Sequence, residues 1–172
     1  VAAAGNNGEE ANINDVSIPA NIPRVIAVGA SNAEGTVWEN SSAGSDIDPY
    51  SGEPRSFPNQ KPEVIAPGVR MFSTASTEIS PPYAYSTGTS DSTVIVAGAL
   101  ALILQIHGDS IRGADSKIDN DEITKVKAAL ANSSVNNQLS ITPHSTKSGY
   151  GELNAVAWLE EIESEFNLPN FN

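Results

Sequence analysis

Residues 90–108, SDSTVIVAGALALILQIHG, decide the fold, because a long apolar run begins here directly after a Gly-Thr-Ser turn. The run has hydrophobic side chains on every side of a helical projection, a pattern that predicts a helix buried in the middle of a domain. The turn places Ser90 at the N-terminus of that helix, where backbone N–H groups and the positive end of the helix dipole favour a developing anion. Ser90 is therefore a candidate nucleophile, although serine at this position is also a common helix cap.

Three short apolar runs end in glycine or in Pro-Gly and predict strands of a parallel sheet that is covered by helices. They are VAAAG (1–5), VIAVGA (25–30) and EVIAPG (63–68). Residues 121–134 and 153–166 carry apolar side chains at helical spacing on one face, which predicts two amphipathic surface helices. Segments rich in Gly, Pro, Ser and Asp predict loops at 76–88 and at 42–62, the latter a long surface insertion. This order of elements predicts one domain of the α/β class, with three layers and a mostly parallel sheet.

The composition excludes several classes of function. The chain has 172 residues and a formal net charge of −12 with only nine Lys and Arg, which argues against a nucleic-acid partner. It has no Cys, which excludes disulfides, thiolate metal sites and a cysteine nucleophile. The longest strongly apolar run, 94–104, is too short and too rich in Ala and Gly to cross a bilayer, so no membrane segment is predicted.

Asn6 is the second candidate for a functional residue. It directly follows the first predicted strand and is flanked by Gly5 and Gly8. Ligand sites of open α/β sheets collect beyond the carboxyl ends of the strands, and the amide of Asn6 can donate a hydrogen bond there. A simple turn is the alternative, since Asn-Asn-Gly also favours one.

Five segments, in this order along the chain, resemble consecutive landmarks of the C-terminal half of the catalytic domain of subtilisin-like serine proteases. They are VAAAGNNG (1–8), IPANIPRVIAVGAS (18–31), KPEVIAPGVRMFST (61–74), STGTSDSTVIVAGALALIL (86–104) and SGYGELNAVAWL (148–159). The resemblance implies that residues 1–172 are the C-terminal part of a three-layer, subtilisin-like α/β peptidase domain. It implies that the complete protein is a serine endopeptidase that acts on peptide or protein substrates and is secreted.

The resemblance also implies roles for individual residues. Ser90 is the nucleophile, Asn6 donates to the oxyanion, and the hydroxyl of Thr89 assists at the oxyanion site. The pocket for the substrate residue before the scissile bond is implied to be bounded by Ala3, Ala4, Gly5 and Ser17. Asp91 is a departure, because many relatives carry Met directly after the nucleophile.

A serine nucleophile needs a base, and the chain has only His107 and His144. The pattern around His107 predicts a C-terminal cap of the long helix, and His144 is predicted in a loop. Triads of this family run Asp, His, Ser along the chain, so both partners of Ser90 are expected upstream of Val1, and this chain alone is expected to be inactive. Two alternatives remain: a sedolisin-type peptidase, which carries Asp where Asn6 stands, and a catalytically silent lobe that acts as a binding or folding partner.

No cofactor is expected for catalysis, but the resemblance implies a structural Ca²⁺ or monovalent cation. The matching ligands are three backbone carbonyls and one carboxylate, those of Ala20, Ile22, Val25 and Glu63. Hard cations favour such oxygen ligands, and an empty or water-filled loop is the alternative. A second acidic group, Asp115, Asp119, Asp121 and Glu122, lacks the spacing of a known calcium loop.

Overall fold

The computed structural model describes residues 1–8, 15–78, 80–113, 120–136 and 143–171. Its centre is a parallel sheet in the order β1 (Ala2–Ala3), β2 (Ala27–Ser31) and β3 (Val64–Pro67). The middle strand β2 is buried throughout, as its unbroken apolar sequence predicts. The three predicted strands and the α/β class are therefore confirmed, and all three strands end at the same edge of the sheet.

The described residues form three helices. They are α1 (Thr89–Ile111), α2 (Asn120–Ser133) and α3 (Ala155–Glu165). α1 contacts all three strands, and α2 packs against α3. The side chain of Asn154 caps α3 by accepting a hydrogen bond from Ala157 N at 3.1 Å, which starts this helix two residues later than predicted.

α1 is buried on one side only in this chain, whereas its pattern predicts a helix enclosed by a complete domain; partial loss of its cover is what the resemblance to the C-terminal half of a catalytic domain implies. Val96 and Ile103 are buried against the sheet, whereas Val94 is 71% exposed and Leu102 is 63% exposed. A sheet of three strands covers only one face of a helix of 23 residues. Among the described helices, α1 is the one long and apolar enough to span a membrane, which is weak support for a span because core helices of soluble proteins pass the same test.

An antiparallel hairpin, β4 (Met71–Thr74) and β5 (Tyr83–Ser86), leads the chain from β3 into α1. The prediction of a loop over 76–88 is wrong for β5. Aromatic residues that alternate with small ones, as in Tyr-Ala-Tyr-Ser, are the strand signal here.

Residues 42–62 form no helix or strand, as predicted, but they are not only a surface insertion. Arg55 is buried, with its Nη2 2.7 Å from Asp15 Oδ2 and its Nη1 donating to Asn21 O at 3.1 Å. Lys61 is also fully buried. The long loop is therefore attached to the domain by buried charged groups.

Candidate active site

The end of β3 and the first turn of α1 are joined directly. Gly88 N donates to Gly68 O at 2.9 Å, and Ser92 Oγ donates to Ala66 O at 2.8 Å. A Cβ at Gly68 would lie 2.1 Å from Ser92 Oγ, so this close approach requires glycine. The start of α1 is thereby fixed at the carboxyl edge of the sheet, where ligand sites of parallel sheets collect.

Asn6 lies at the same edge, and its side chain is held in one orientation. Its Oδ1 accepts hydrogen bonds from Thr89 N at 3.0 Å and from Thr89 Oγ1 at 2.9 Å. Thr89 Oγ1 in turn accepts from Gly5 N at 3.2 Å. Two donors on Oδ1 leave the Nδ2 end of the amide on the other side, and within the described ranges Nδ2 donates to no protein acceptor. That amide is therefore available to a ligand beside Ser90.

Ser90 is the second residue of α1 and is exposed. The N-cap of α1 is Gly88, and no side chain caps this helix end. Within the described residues the hydroxyl of Ser90 makes no hydrogen bond, and its backbone N–H is one of the unpaired groups of the first helical turn. The Ser90 side chain therefore does not cap α1, in contrast to the alternative that its position favours.

Asp91, the departure from the usual family sequence, is tied to the hairpin. Ser86 Oγ on β5 donates to Asp91 Oδ1. The carboxylate lies in the first turn of α1, where the helix dipole stabilises negative charge. Asp91 therefore adds a fixed negative charge next to Ser90.

The residues that the resemblance assigns to the substrate pocket lie close together, but not all of them can offer a side chain to a substrate. Gly5 has φ of 114°, and a Cβ there would lie 2.4 Å from Ser17 Oγ. Ser17 N donates to Ala4 O at 2.7 Å, which places Ser17 alongside this segment. The side chain of Ala4 is fully buried in an apolar cluster with Val16, so only its backbone can face a ligand, while Ala3 is partly buried in β1.

Neither histidine is placed to serve Ser90. α1 continues past His107, whose Nε2 lies 2.9 Å from Glu163 Oε1, so the prediction of a C-terminal cap is wrong. His107 also lies on the order of 25 Å along the helix from Ser90. His144 Nε2 lies 2.9 Å from Pro62 O, at the start of β3 and so at the opposite end of that strand from α1. Burial lowers the pKa of His144, which favours its neutral form.

Two of the four predicted cation ligands, the Val25 carbonyl and the Glu63 carboxylate, are bound by lysine side chains. Lys61 Nζ donates to Val25 O and lies 2.8 Å from Glu63 Oε1, and Lys127 Nζ lies 2.7 Å from the same carboxylate oxygen. Glu63 Oε2 accepts from Ala27 N at 2.7 Å. The three charged side chains are at most 1% exposed. Because ammonium groups already bind these oxygen atoms, a metal ion does not fit this arrangement.

Of the two remaining predicted ligands, the Ile22 carbonyl already accepts a hydrogen bond from Val25 N at 3.0 Å, and Ala20 is a buried residue in a cluster with Ala4 and Val16. Of the second acidic group, Asp115 and Asp119 lie outside the described residues. The described part of the chain contains no group of three or more His, Cys, Asp or Glu that could hold a metal ion.

The environment of the two lysines changes their acidity. Burial lowers the pKa of Lys61 to about 8, despite the opposing attraction of Glu63. Burial also lowers the pKa of Lys127. Two ammonium groups share one carboxylate, so loss of one proton leaves a neutral buried cluster.

Sequence reasoning missed several residues that shape this region. Lys61 directly precedes Pro-Glu at the start of a buried strand, and Lys127 stands between Val126 and Leu130 on the apolar side of α2. A lysine at an apolar position of an amphipathic helix was the available signal. Ser42 was also missed, although its Oγ accepts from the backbone N–H that follows Asn6, at 3.1 Å.

An oriented amide and an unpaired backbone N–H at a helix N-terminus are groups of the kind that stabilise an oxyanion. The chain belongs to the subtilase family, whose sequence model matches residues 1–154. It is 42% identical to Subtilisin E of Bacillus subtilis and to Subtilisin of Bacillus pumilus over 106 residues. That alignment covers 62% of this chain but only 23% and 32% of the two relatives.

Two solved structures share the fold. The self-cleaved protease domain of PatA has a TM-score of 0.62 and 26% identity, over 95% of this chain and 49% of that one. The PatG macrocyclase in complex with peptide has a TM-score of 0.66 over 94% of this chain and 42% of that one, and at 22% identity it supports the fold alone. The chain thus spans about half the length of these solved chains and a third or less of the two subtilisins.

Proposed function

We propose that the complete protein is a serine endopeptidase. Ser90 Oγ attacks the carbonyl carbon of a peptide bond, the amine leaves, and water then hydrolyses the resulting ester at Ser90. The oxyanion of each tetrahedral intermediate is held by Asn6 Nδ2 and by the backbone N–H of Ser90. The pair of hydrogen bonds from Thr89 to Asn6 Oδ1 carries this proposal.

Those two bonds matter because oxyanion donors work best when they are already oriented. Asn6 itself is exposed, and without the bonds to Thr89 its amide would be free to rotate. Thr89 is 1% exposed and is fixed by the first turn of α1 and by Gly5. Thr89 is thus proposed as a positioning residue, which keeps the amide N–H directed toward the developing charge without reorganisation during the reaction.

The base and its orienting acid are proposed to come from an upstream part of the same protease. Both histidines of the chain are engaged elsewhere, His107 with Glu163 and His144 with Pro62 O. The family order of Asp, His and Ser places the missing pair before Ser90 in sequence.

Two features of the structure could bind this upstream part, the edge of β1 and the exposed side of α1. β1 is an edge strand with one described neighbour, β2, and so offers its other side for pairing. The exposed side of α1 presents Val94, Leu102 and Ile106. Covering apolar area contributes about 25 cal/mol per Å², so an upstream segment that extends the sheet and covers α1 would be held strongly.

The substrates are proposed to be peptides or proteins, and the enzyme is proposed to act outside the cell, both by likeness to the family. Neither a nucleic acid nor a catalytic cofactor has a role in the proposed chemistry. The acidic composition suits a soluble enzyme.

Labelling with a fluorophosphonate, which reacts only with an activated serine, tests this function. We expect no labelling of the 172-residue chain alone. Labelling at Ser90 should follow when the upstream part with Asp and His is supplied in trans or in the complete protein, and Ser90→Ala should abolish it. Absence of labelling in the folded complete protein would contradict the proposal.

A second candidate is a catalytically silent lobe that binds a partner. The engagement of both histidines in structural contacts favours it for the chain as it stands. The two functions differ in one result: a silent lobe binds the upstream part without gaining a reactive serine.

A further inference from the structure

Segments that are far apart in sequence meet at the buried carboxylate of Glu63. Lys127 Nζ on α2 contacts Glu63 Oε1 at 2.7 Å and Asn59 Oδ1 at 2.6 Å, and it also donates to Pro23 O. An ammonium group has three N–H donors, so these three acceptors use all of them. Lys127 therefore connects α2, the loop before β2 and the loop before β3 through one nitrogen atom.

Lys61 makes a second set of connections to the same carboxylate. Its Nζ contacts Glu63 Oε1 at 2.8 Å and donates to Val25 O, two residues beyond the carbonyl that Lys127 binds. The other oxygen, Glu63 Oε2, accepts from Ala27 N at 2.7 Å, at the start of β2. In the described residues, every buried side-chain nitrogen and oxygen atom has a hydrogen-bond partner. Both oxygens of Glu63 and both ammonium groups are therefore paired within the protein, without any added ligand.

The charge of the cluster also opposes a metal ion. Two ammonium groups and one carboxylate give a formal charge of +1 in a site that is at most 1% exposed. A Ca²⁺ ion at coordination distance from Glu63 Oε1 would lie within roughly 5 Å of both Nζ atoms. At that distance repulsion in a buried site is strong, because water does not screen it.

We propose that Lys61 and Lys127 are a built-in replacement for a bound cation, so that this region of the chain is held together independently of calcium and monovalent ions. The ammonium groups take two of the four oxygen ligands that the resemblance implies for a cation, the Val25 carbonyl and the Glu63 carboxylate, and Lys127 also takes the neighbouring carbonyl of Pro23. They hold the loop of residues 20–25 to the starts of β2 and β3 and to α2.

The test is the melting temperature of the 172-residue chain and of the complete protease, each freed of divalent ions with EDTA and of alkali ions by dialysis into a tetramethylammonium buffer, and then measured with CaCl₂ or KCl. The unsubstituted protein should melt within about 1 °C with and without either ion, at matched ionic strength, and calorimetric titration with Ca²⁺ should give no heat from this site. Lys127→Met should lower the melting temperature by roughly 5 °C or more, because a buried carboxylate loses one partner and two other acceptors lose their donor.

Lys125→Met is the matched control on the same helix. Lys125 lies 3.1 Å from Asp121, one turn earlier, and both side chains are substantially exposed. Its loss should change the melting temperature by no more than about 2 °C, as for surface ion pairs in general. The double variant Lys61→Met with Lys127→Met leaves Glu63 without a counter-ion, so Ca²⁺ or K⁺ should raise its melting temperature.

Two results would overturn the proposal. One is a calcium- or potassium-dependent rise in the melting temperature of the unsubstituted protein that Glu63→Gln abolishes. The other is a Lys127→Met variant as stable as Lys125→Met. If the double variant does not fold, the single variants and the ion response of the unsubstituted protein decide the outcome by themselves.

Discussion

Replacing Asn6 by aspartate separates the structural contribution of this side chain from its proposed catalytic one. In the unsubstituted protein, Thr89 N and Thr89 Oγ1 lie 3.0 Å and 2.9 Å from Asn6 Oδ1. A carboxylate oxygen at this position can accept the same two hydrogen bonds. An ionised carboxylate has no N–H to donate to an oxyanion. Asn6→Asp should therefore fold as well as the unsubstituted protein while losing turnover, whereas Asn6→Ala should lose both.

The magnitudes follow from the contacts. Asn6→Ala removes two hydrogen bonds of about 1 kcal/mol each, so the free energy of unfolding should fall by roughly 2 kcal/mol. Asn6→Asp keeps both bonds and adds negative charge at the N-terminus of α1, which is stabilising by about 0.3–1 kcal/mol. For turnover, kcat of the complete protease should fall about 10²–10³-fold in both variants with little change in KM, the magnitude known for loss of such a donor in this same family.

The assay combines urea unfolding with steady-state kinetics at neutral pH, where the new carboxylate is ionised. Asn7→Asp is the matched control, since it adds the same charge one residue away and leaves the bonds of Asn6 to Thr89 in place. A kcat for Asn6→Asp within a few-fold of the unsubstituted enzyme would refute the oxyanion role. An Asn6→Asp variant as unstable as Asn6→Ala would refute the hydrogen-bonded orientation.

Three further predictions concern other sites. Gly68→Ala should lower the free energy of unfolding by well over 1 kcal/mol, because its Cβ would lie 2.1 Å from Ser92 Oγ. Gly98→Ala should raise the free energy of unfolding by about 0.5–1 kcal/mol, because Gly98 is an exposed helical glycine with open space around it. Urea unfolding measures both changes. Burial lowers the pKa of His144, so on acidification the unfolded state takes up a proton before the folded state does, and the free energy of unfolding should fall as the pH drops below about 6.5. His144→Gln should flatten that part of the stability profile. An unchanged slope would contradict the role of His144 in it. In the complete protease, the charge of Asp91 beside Ser90 should favour the protonated form of the catalytic histidine. Asp91→Asn should therefore move the acid limb of the profile of kcat/KM against pH to lower pH. An acid limb that does not move would count against this effect.

The elements with strong periodicity were predictable from the sequence, and the pieces that depend on distant partners were not. The three apolar runs and the amphipathic patterns of α2 and α3 gave the correct elements within a few residues. The apolar pattern of α1 alone could not show which of its faces is covered, because an apolar helix has the same sequence whether or not the elements that cover its outer face are present. The role of His107 depends on Glu163, a partner brought near only by the packing of α1 with α3.

The candidate site was partly predictable for a similar reason. Asn6 and Ser90 each follow a recognisable local signal, a strand end and a helix start, so their types and places could be predicted. The orientation of the Asn6 amide could not, since it depends on two bonds from Thr89, a residue 83 positions away. The ionic cluster was missed because nothing near Lys127 in the sequence indicates that its amine reaches Glu63.

The ionic cluster and the candidate active site occupy opposite ends of the same two strands. The cluster joins the starts of β2 and β3, whereas Gly68, just beyond β3, binds the start of α1. The four residues of β3 separate the cluster from the start of α1 by only about 13 Å. The backbone pairing of β3 with β2 nevertheless fixes the relative position of the two ends of β3 without the cluster. Loss of the cluster should therefore reduce the fraction of molecules that are folded without changing the site in those that remain folded. In the complete protease, Lys127→Met should lower the number of serines that an active-site titrant counts, while kcat per titrated site stays constant. A fall in kcat per titrated site would show instead that the cluster positions the first turn of α1 through the strands.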